Sequence, residues 1–240
     1  MRAQRSVALP ASTAGATVPR VMHSRRIGGA CLAGAALTFW LAWFLMPMPG
    51  TTDVAFILEQ VGATPDRVWL SVAVQMISSA LFVPGLHAFA LAPELRGSAL
   101  AFAAASLAGV GATGFAADGI YHLLAYEMVR PGIDREAMLP VMARFQAEDL
   151  VFVAPQLLAL LLGLGLVSLA AARARLVPRA NPRLHLAALA LALGGGLAAG
   201  AIGQGRRALA LGVLALFSLA VAWVGVALGR GTPASEPIRS

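Results

Sequence analysis

Asp118, Tyr121 and His122 fall at i, i+3 and i+4 of an otherwise apolar stretch, so a helix there projects a carboxylate, a phenol and an imidazole from one face. Further along, Glu148 and Asp149 lead into a second apolar run in which Asp149, Phe152 and Gln156 share a face. If the two runs pair, these residues make one polar cluster that could serve a transporter or channel, or hold a hard cation through oxygen ligands. One histidine among carboxylates is a poor set for zinc. The next candidate, His87, is predicted near the opposite end of its own helix, about a membrane thickness away. No nucleophile has an adjacent base, and the glycine run 194–196 lacks the lysine and serine of a phosphate loop. The lone Cys31 excludes an intrachain disulfide and a centre built on several thiolates. The sequence therefore assigns no catalytic residue, no cofactor and no metal. It leaves Asp118, Tyr121, His122, Glu148, Asp149 and Gln156 as a candidate polar cluster. Plainer roles stand beside that one: Glu148 and Asp149 suit the positive N-terminus of a helix, and polar side chains at an interface commonly face water.

What must position the cluster is a set of long apolar helices. Of 240 residues, 59% are hydrophobic and 12% charged, against roughly 25% charged in soluble domains. A hydrocarbon core of ~30 Å takes roughly 20 apolar residues in a helix, and six stretches qualify: 27–46, 68–91, 98–126, 150–172, 184–203 and 208–229. Their uniform, Ala- and Leu-rich character excludes the alternating strands of a membrane barrel. The prediction is an all-α, polytopic transmembrane helical bundle of six spans, with short amphipathic helices in two outer loops. Residues 1–26 read as a disordered basic cytoplasmic tail, 27–229 as the transmembrane domain and 230–240 as a second cytoplasmic tail. Met22 is a second candidate start. The apolar run after Ser24-Arg25-Arg26 is too long for a cleaved signal, so the first helix is read as an uncleaved span.

Charge sets the orientation. All 18 basic residues are arginine. With the N-terminus inside, Arg2, Arg5, Arg20, Arg25, Arg26, Arg96, Arg173, Arg175, Arg179, Arg183, Arg230 and Arg239 lie on the inner side. Only Arg67, Arg130, Arg135, Arg144, Arg206 and Arg207 lie outside. That bias predicts a bacterial cytoplasmic (inner) membrane protein with both termini cytoplasmic. The net charge of +7 is then a topology signal, and nucleic acid is not a predicted partner. Membrane lipid is, with other membrane protein subunits as a second class.

Small residues predict where helices touch. Gly29 with Ala33 and Ala30 with Gly34 in the first span let a neighbouring backbone approach. Ala103, Ala104, Gly109, Gly111 and Gly114 do so in the third, and Gly196, Ala199, Gly200 and Gly203 in the fifth. Gln75, Ser78 and Ser79 share a face of the second span and are expected to hydrogen-bond across to another helix. Thr64-Pro65-Asp66 signals a helix start with the threonine hydroxyl as cap, after a short helix marked by Val54, Ile57, Leu58 and Val61. Pro140 is expected to break the amphipathic pattern from Met138 to Phe145, and Pro155 to open the helix beside Gln156. Counting about 20 residues from Ser98, or ~30 Å, puts Asp118 near the outer boundary. Trp40, Trp43, Trp69, Tyr121 and Tyr126 are expected as an aromatic belt at that level.

Three segments carry a resemblance: Thr64-Pro65-Asp66-Arg67-Val68 opening a span, Asp134-Arg135-Glu136-Ala137-Met138 in an outer loop, and Arg175-Leu176-Val177-Pro178-Arg179 after the fourth span. In these the chain resembles a group of uncharacterised bacterial six-helix integral membrane proteins, a domain of unknown function, over residues 27–205. The resemblance implies a six-helix bundle and brings no activity and no functional residue. Three classes of function stay open. One is a non-enzymatic envelope protein or membrane subunit of a larger assembly. The others are a small-molecule or ion transporter or channel using Asp118, His122 and Asp149, and an intramembrane metal-dependent enzyme. The first is preferred, because every prominent polar residue has a capping or packing role and the spans are almost free of charge.

Overall fold

Five helical segments are long and apolar enough to cross a membrane, His23–Leu45, Pro65–Ala90, Ala99–Met128, Arg135–Arg173 and Arg207–Arg230, which is the make-up of a multi-pass membrane protein. The computed structural model describes the backbone over residues 18–47, 53–198 and 205–230, and side chains over 23–47, 53–192 and 207–230. The helices are α1 (Val18–Leu45), α2 (Val54–Ala63), α3 (Pro65–Ala90), α4 (Ala99–Met128), α5 (Arg135–Phe152), α6 (Ala154–Arg173), α7 (Asn181–Ala198) and α8 (Gly205–Arg230). Among the described residues there is no strand. Helix α1 starts nine residues before the predicted span, inside the predicted tail; the rest of that tail and residues 231–240 lie outside the described residues. So do Ala199, Gly200 and Gly203 of the predicted contact row and the end of the predicted fifth span.

The helices α1, α3, α4, α6 and α8 close a ring in that order, and α7 packs outside it against α8 and α6. Close crossings hold the ring together. A Cβ on Gly85 would stand 2.8 Å from the backbone of Leu32, and one on Gly111 would stand 2.2 Å from the nitrogen of Leu160. Such contacts raise the packing between helices where apolar burial alone cannot favour protein over lipid. Gly109, predicted for the same role, instead faces open space, with nothing within 4 Å of its would-be Cβ. Two residues turn a helix by about 200°, so Gly109 and Gly111 lie on nearly opposite faces. Apolar side chains fill the interior of the ring, among them Leu32, Phe39, Phe82, Phe115, Leu164 and Val224. Phe39 and Phe115 meet edge to face at 4.8 Å.

A second, smaller core sits at one end. There α2 and α5 cover the start of α3 and the end of α4, burying Ile57, Leu58, Val61, Val68, Tyr121, Ala125, Met128 and Met142 together. We call this the cap end, and the opposite one, with Arg25, Arg26, Arg96 and Arg230, the basic end. Asp134 opens α5 by accepting from the amides of Glu136 and Ala137 at 3.0 and 3.3 Å.

Several local expectations are corrected. The Thr64 hydroxyl makes no cap bond to α3; it donates to the Gln60 carbonyl at 3.0 Å and so closes α2 instead. Pro140 does not break α5, because it is the sixth residue of that helix and forfeits one ladder bond near an end already short of partners. The boundary between α5 and α6 falls at Val153, which still donates to the Asp149 carbonyl at 2.8 Å and accepts from the Leu157 amide at 3.0 Å; the ladder bond absent there is the one Pro155 has no N–H to donate. Glu148 and Asp149 consequently lie towards the C-terminal end of α5, and no helix N-terminus explains them. Trp43 packs against Phe115 at 6.1 Å and Trp40 donates to the Leu211 carbonyl at 3.1 Å, so both serve the bundle, while Trp69 is exposed.

Candidate functional site

Asp118 is the one carboxylate sunk into the described part of the ring, 6% exposed, on the face of α4 that meets α3. Gln75 of α3, 1% exposed, reaches across to it. Its amide nitrogen donates to Asp118 Oδ2 at 2.6 Å and to the Phe115 carbonyl at 2.8 Å. Gly119 makes the room: a Cβ there would press on Met76 Cε at 2.7 Å and on Gln75 at 3.4 Å. One turn along α4, His122 Nε2 lies 3.5 Å from the same Asp118 oxygen. Gln75 lies ten residues into α3 and Asp118 ten residues before the end of α4, so both stand ~15 Å inside their helix ends at 1.5 Å per residue.

The other candidates surround this pair unevenly. Tyr121 turns its ring into the small core under the cap and donates its hydroxyl to Gln146 Oε1 of α5 at 2.5 Å, with the His122 ring edge-on at 5.2 Å. Asp149 is half-buried and close enough to Asp118, Tyr121 and His122 to interact with them through space. Among the described residues no hydrogen bond or ion pair joins it to Asp118 or His122. Glu148 is exposed. Gln156 belongs to another contact: its Oε1 accepts from Thr113 Oγ1 at 3.1 Å and its Nε2 donates to the Phe152 carbonyl at 2.9 Å, stitching α6 to α4 and bridging the break beside Pro155. The structure thus brings Asp118, Tyr121, His122 and Asp149 into one neighbourhood and leaves Glu148 and Gln156 apart from it. Among the described residues, no three of the His, Cys, Asp and Glu side chains gather to hold a metal ion. What remains is a carboxylate clamped by a neutral amide, with an imidazole 3.5 Å from the same oxygen.

Sequence reasoning gave no weight to Gln146, nor to a second buried cluster where α6, α7 and α8 meet. There Ser168 Oγ and His185 Nε2 are 2.8 Å apart, Phe217 lies edge-on to His185 at 4.5 Å, and Asn181 Nδ2 donates to the Ala220 carbonyl at 3.0 Å. The signal available was the i, i+4 spacing of Asn181 and His185, which puts both on one face of α7. His87, by contrast, is exposed on α3. No family model matches the chain, and no curated protein or solved structure was found to be similar to it.

Proposed function

We propose that the chain is a six-span protein of the bacterial cytoplasmic membrane with both termini in the cytoplasm, and that it works as a non-enzymatic membrane subunit, a helical scaffold for a larger assembly. In this reading α7, continued through the predicted span 184–203, is the sixth crossing, and α2 and α5 cap the outer surface. The observation that carries the scaffold reading is the apolar core of the ring, where Phe39, Phe82 and Phe115 are buried in one cluster among the described residues. Two serines of α3 support it as well, since they bind the backbone of α1: Ser71 Oγ donates to the Ala42 carbonyl at 2.7 Å and Ser78 Oγ to the Ala35 carbonyl at 2.8 Å, whereas Ser79 Oγ, expected to bond across with them, has no partner among the described residues. Such interhelical bonds contribute about 0.6 kcal/mol each and fix helix register. For orientation, the support is the preponderance of arginines on one side. Reporter fusions test it: cytoplasmic activity is expected after Ser240 and periplasmic activity within residues 134–146, and the reverse pattern overturns it.

One observation favours a second reading, ion transport: the buried Asp118 carboxylate with His122 at 3.5 Å, because ionisable groups inside a membrane bundle often mark ion paths. Proteoliposomes decide between the two. The scaffold is expected to hold an imposed proton gradient as well as protein-free vesicles do. A leak through the wild type that Asp118→Asn abolishes would replace the scaffold with a transporter.

A further inference from the structure

We propose that the groove between α1 and α8 at the basic end seats one anionic phospholipid, its phosphate held between Arg26 and Arg230 and an acyl chain laid along a floor of glycine and alanine. The groove measures about 470 Å³, and both arginines line it. At its floor the two helix backbones nearly touch. A Cβ on Gly29 would stand 2.5 Å from the Gly225 carbonyl oxygen and 2.6 Å from the Gly229 nitrogen, and one on Gly225 would stand 2.5 Å from the nitrogen of Ala33. The same crossing makes the arginines neighbours, since a Cβ on Gly229 would lie 3.8 Å from the carbonyl oxygen of Arg26.

Among the described residues no acidic side chain pairs with the charge on this groove. Arg25, one residue away, is held by Glu94 at 3.0 Å and by the Leu228 carbonyl at 3.3 Å. Arg26 and Arg230 are exposed, and among the described residues neither makes an ion pair. Two arginines lining one groove with a floor of small residues complement a molecule with an anionic head and an apolar tail. A soluble anion would use the arginines and leave the floor wet, whereas a zwitterionic headgroup would bring a cation towards them. Basic clusters at membrane helix ends attract anionic lipid in this way, and the guanidinium fork suits phosphate oxygens.

The inference rests on the chain residing in a membrane, which alkaline extraction tests separately: a chain washed into the soluble fraction fails that reading whatever lipid it binds. For the lipid itself, the full chain in non-ionic detergent is titrated with phosphatidylglycerol, phosphatidylcholine or inorganic phosphate and read by native mass spectrometry. A single phosphatidylglycerol adduct is expected, weakened on the order of tenfold by Arg26→Gln with Arg230→Gln. A similar loss is expected from Ala30→Phe, which fills the groove and keeps both charges, while Arg130→Gln at the other end leaves the adduct unchanged. The proposal is overturned if phosphatidylcholine binds equally well, if neither groove variant weakens the adduct, or if inorganic phosphate displaces it completely. A polypeptide cross-linked through Ala30→Cys in native membranes would overturn it in favour of a partner helix.

Discussion

The two buried polar clusters of this bundle are equally hidden and unequally satisfied. At the α3–α4 seam, Gln75 serves both Asp118 and the Phe115 carbonyl, and His122 stands by the remaining charge. Where α7 meets α6 and α8, three buried polar atoms, Asn181 Oδ1, His185 Nδ1 and Ser218 Oγ, have no partner among the described protein atoms. The difference lies between these two clusters and not between the whole ring and its surroundings, since Trp43 Nε1 of α1 and Ser79 Oγ of α3 also have no partner among the described residues. The first cluster lies between two members of the closed ring, where Gly119 leaves room for the side chains of Gln75 and Met76. The second lies on a helix outside that ring. An unpartnered buried polar group costs about 1–3 kcal/mol, so α7 is held chiefly by apolar contact, and its polar groups are expected to contribute little.

The largest test bears on the ring itself. Gly111→Leu should destabilise the protein by about 3 kcal/mol, because the new side chain meets the Leu160 backbone and no neighbour there can yield. Gly109→Leu should melt like the parent, its site being open. Thermal unfolding in detergent reads both, and equal melting of the two variants would show that close crossings do not set apart the helices carrying Asp118. Next in size, Gln75→Leu leaves the Asp118 carboxylate without its amide and should cost about 2 kcal/mol. A change below about 0.5 kcal/mol in the same assay would mean that the satisfied cluster is no better anchored than the other.

These pairs also show what the sequence made legible. That Gln75 would bond across to another helix, and that Asp118 and His122 would share a face, follow from local chemistry: a polar group in an apolar span needs a partner, and i, i+4 spacing is fixed by the helix. Which glycine faces the neighbour does not follow. α4 is apolar around its circumference, so its 3.6-residue period carries no contrast between a lipid-facing and a protein-facing side, and Gly109 and Gly111 look alike. His185 lies near the start of α7 beside Asn181 and Arg183, where a polar residue reads as part of a helix end and not of a buried face. The boundary at Val153 rather than at Glu148 was hidden by Pro140, which looked like a breaker and proved harmless near the start of α5. Its consequence is that Asp149 loses its helix-dipole explanation and joins the Asp118 neighbourhood.

A smaller effect is expected from Asp118→Asn. The asparagine oxygen can still accept from Gln75, so only the charge-assisted part of that bond and the contact with His122 are lost, about 0.6 kcal/mol in a membrane bundle. Should this variant cost more than Gln75→Leu, the charge opposite His122, rather than the amide clamp, would be what anchors the cluster.

The smallest effect should come from His185→Phe. The substitution removes the 2.8 Å contact with Ser168, but it also removes Nδ1, which has no partner among the described residues, and keeps a ring edge-on to Phe217. Ser168 is not stranded by the change, since a serine hydroxyl inside a helix can turn back to the carbonyl four residues earlier. An average interhelical hydrogen bond is worth about 0.6 kcal/mol, and relief of an unpartnered nitrogen acts in the opposite direction. The net shift in stability is therefore expected within about 0.5 kcal/mol of zero. A loss of about 2 kcal/mol or more would show that Nδ1 is bonded after all, to a buried water as in other polar interiors. The second cluster would then have two atoms unpartnered among the described residues, Asn181 Oδ1 and Ser218 Oγ, instead of three, and the contrast between the clusters would narrow.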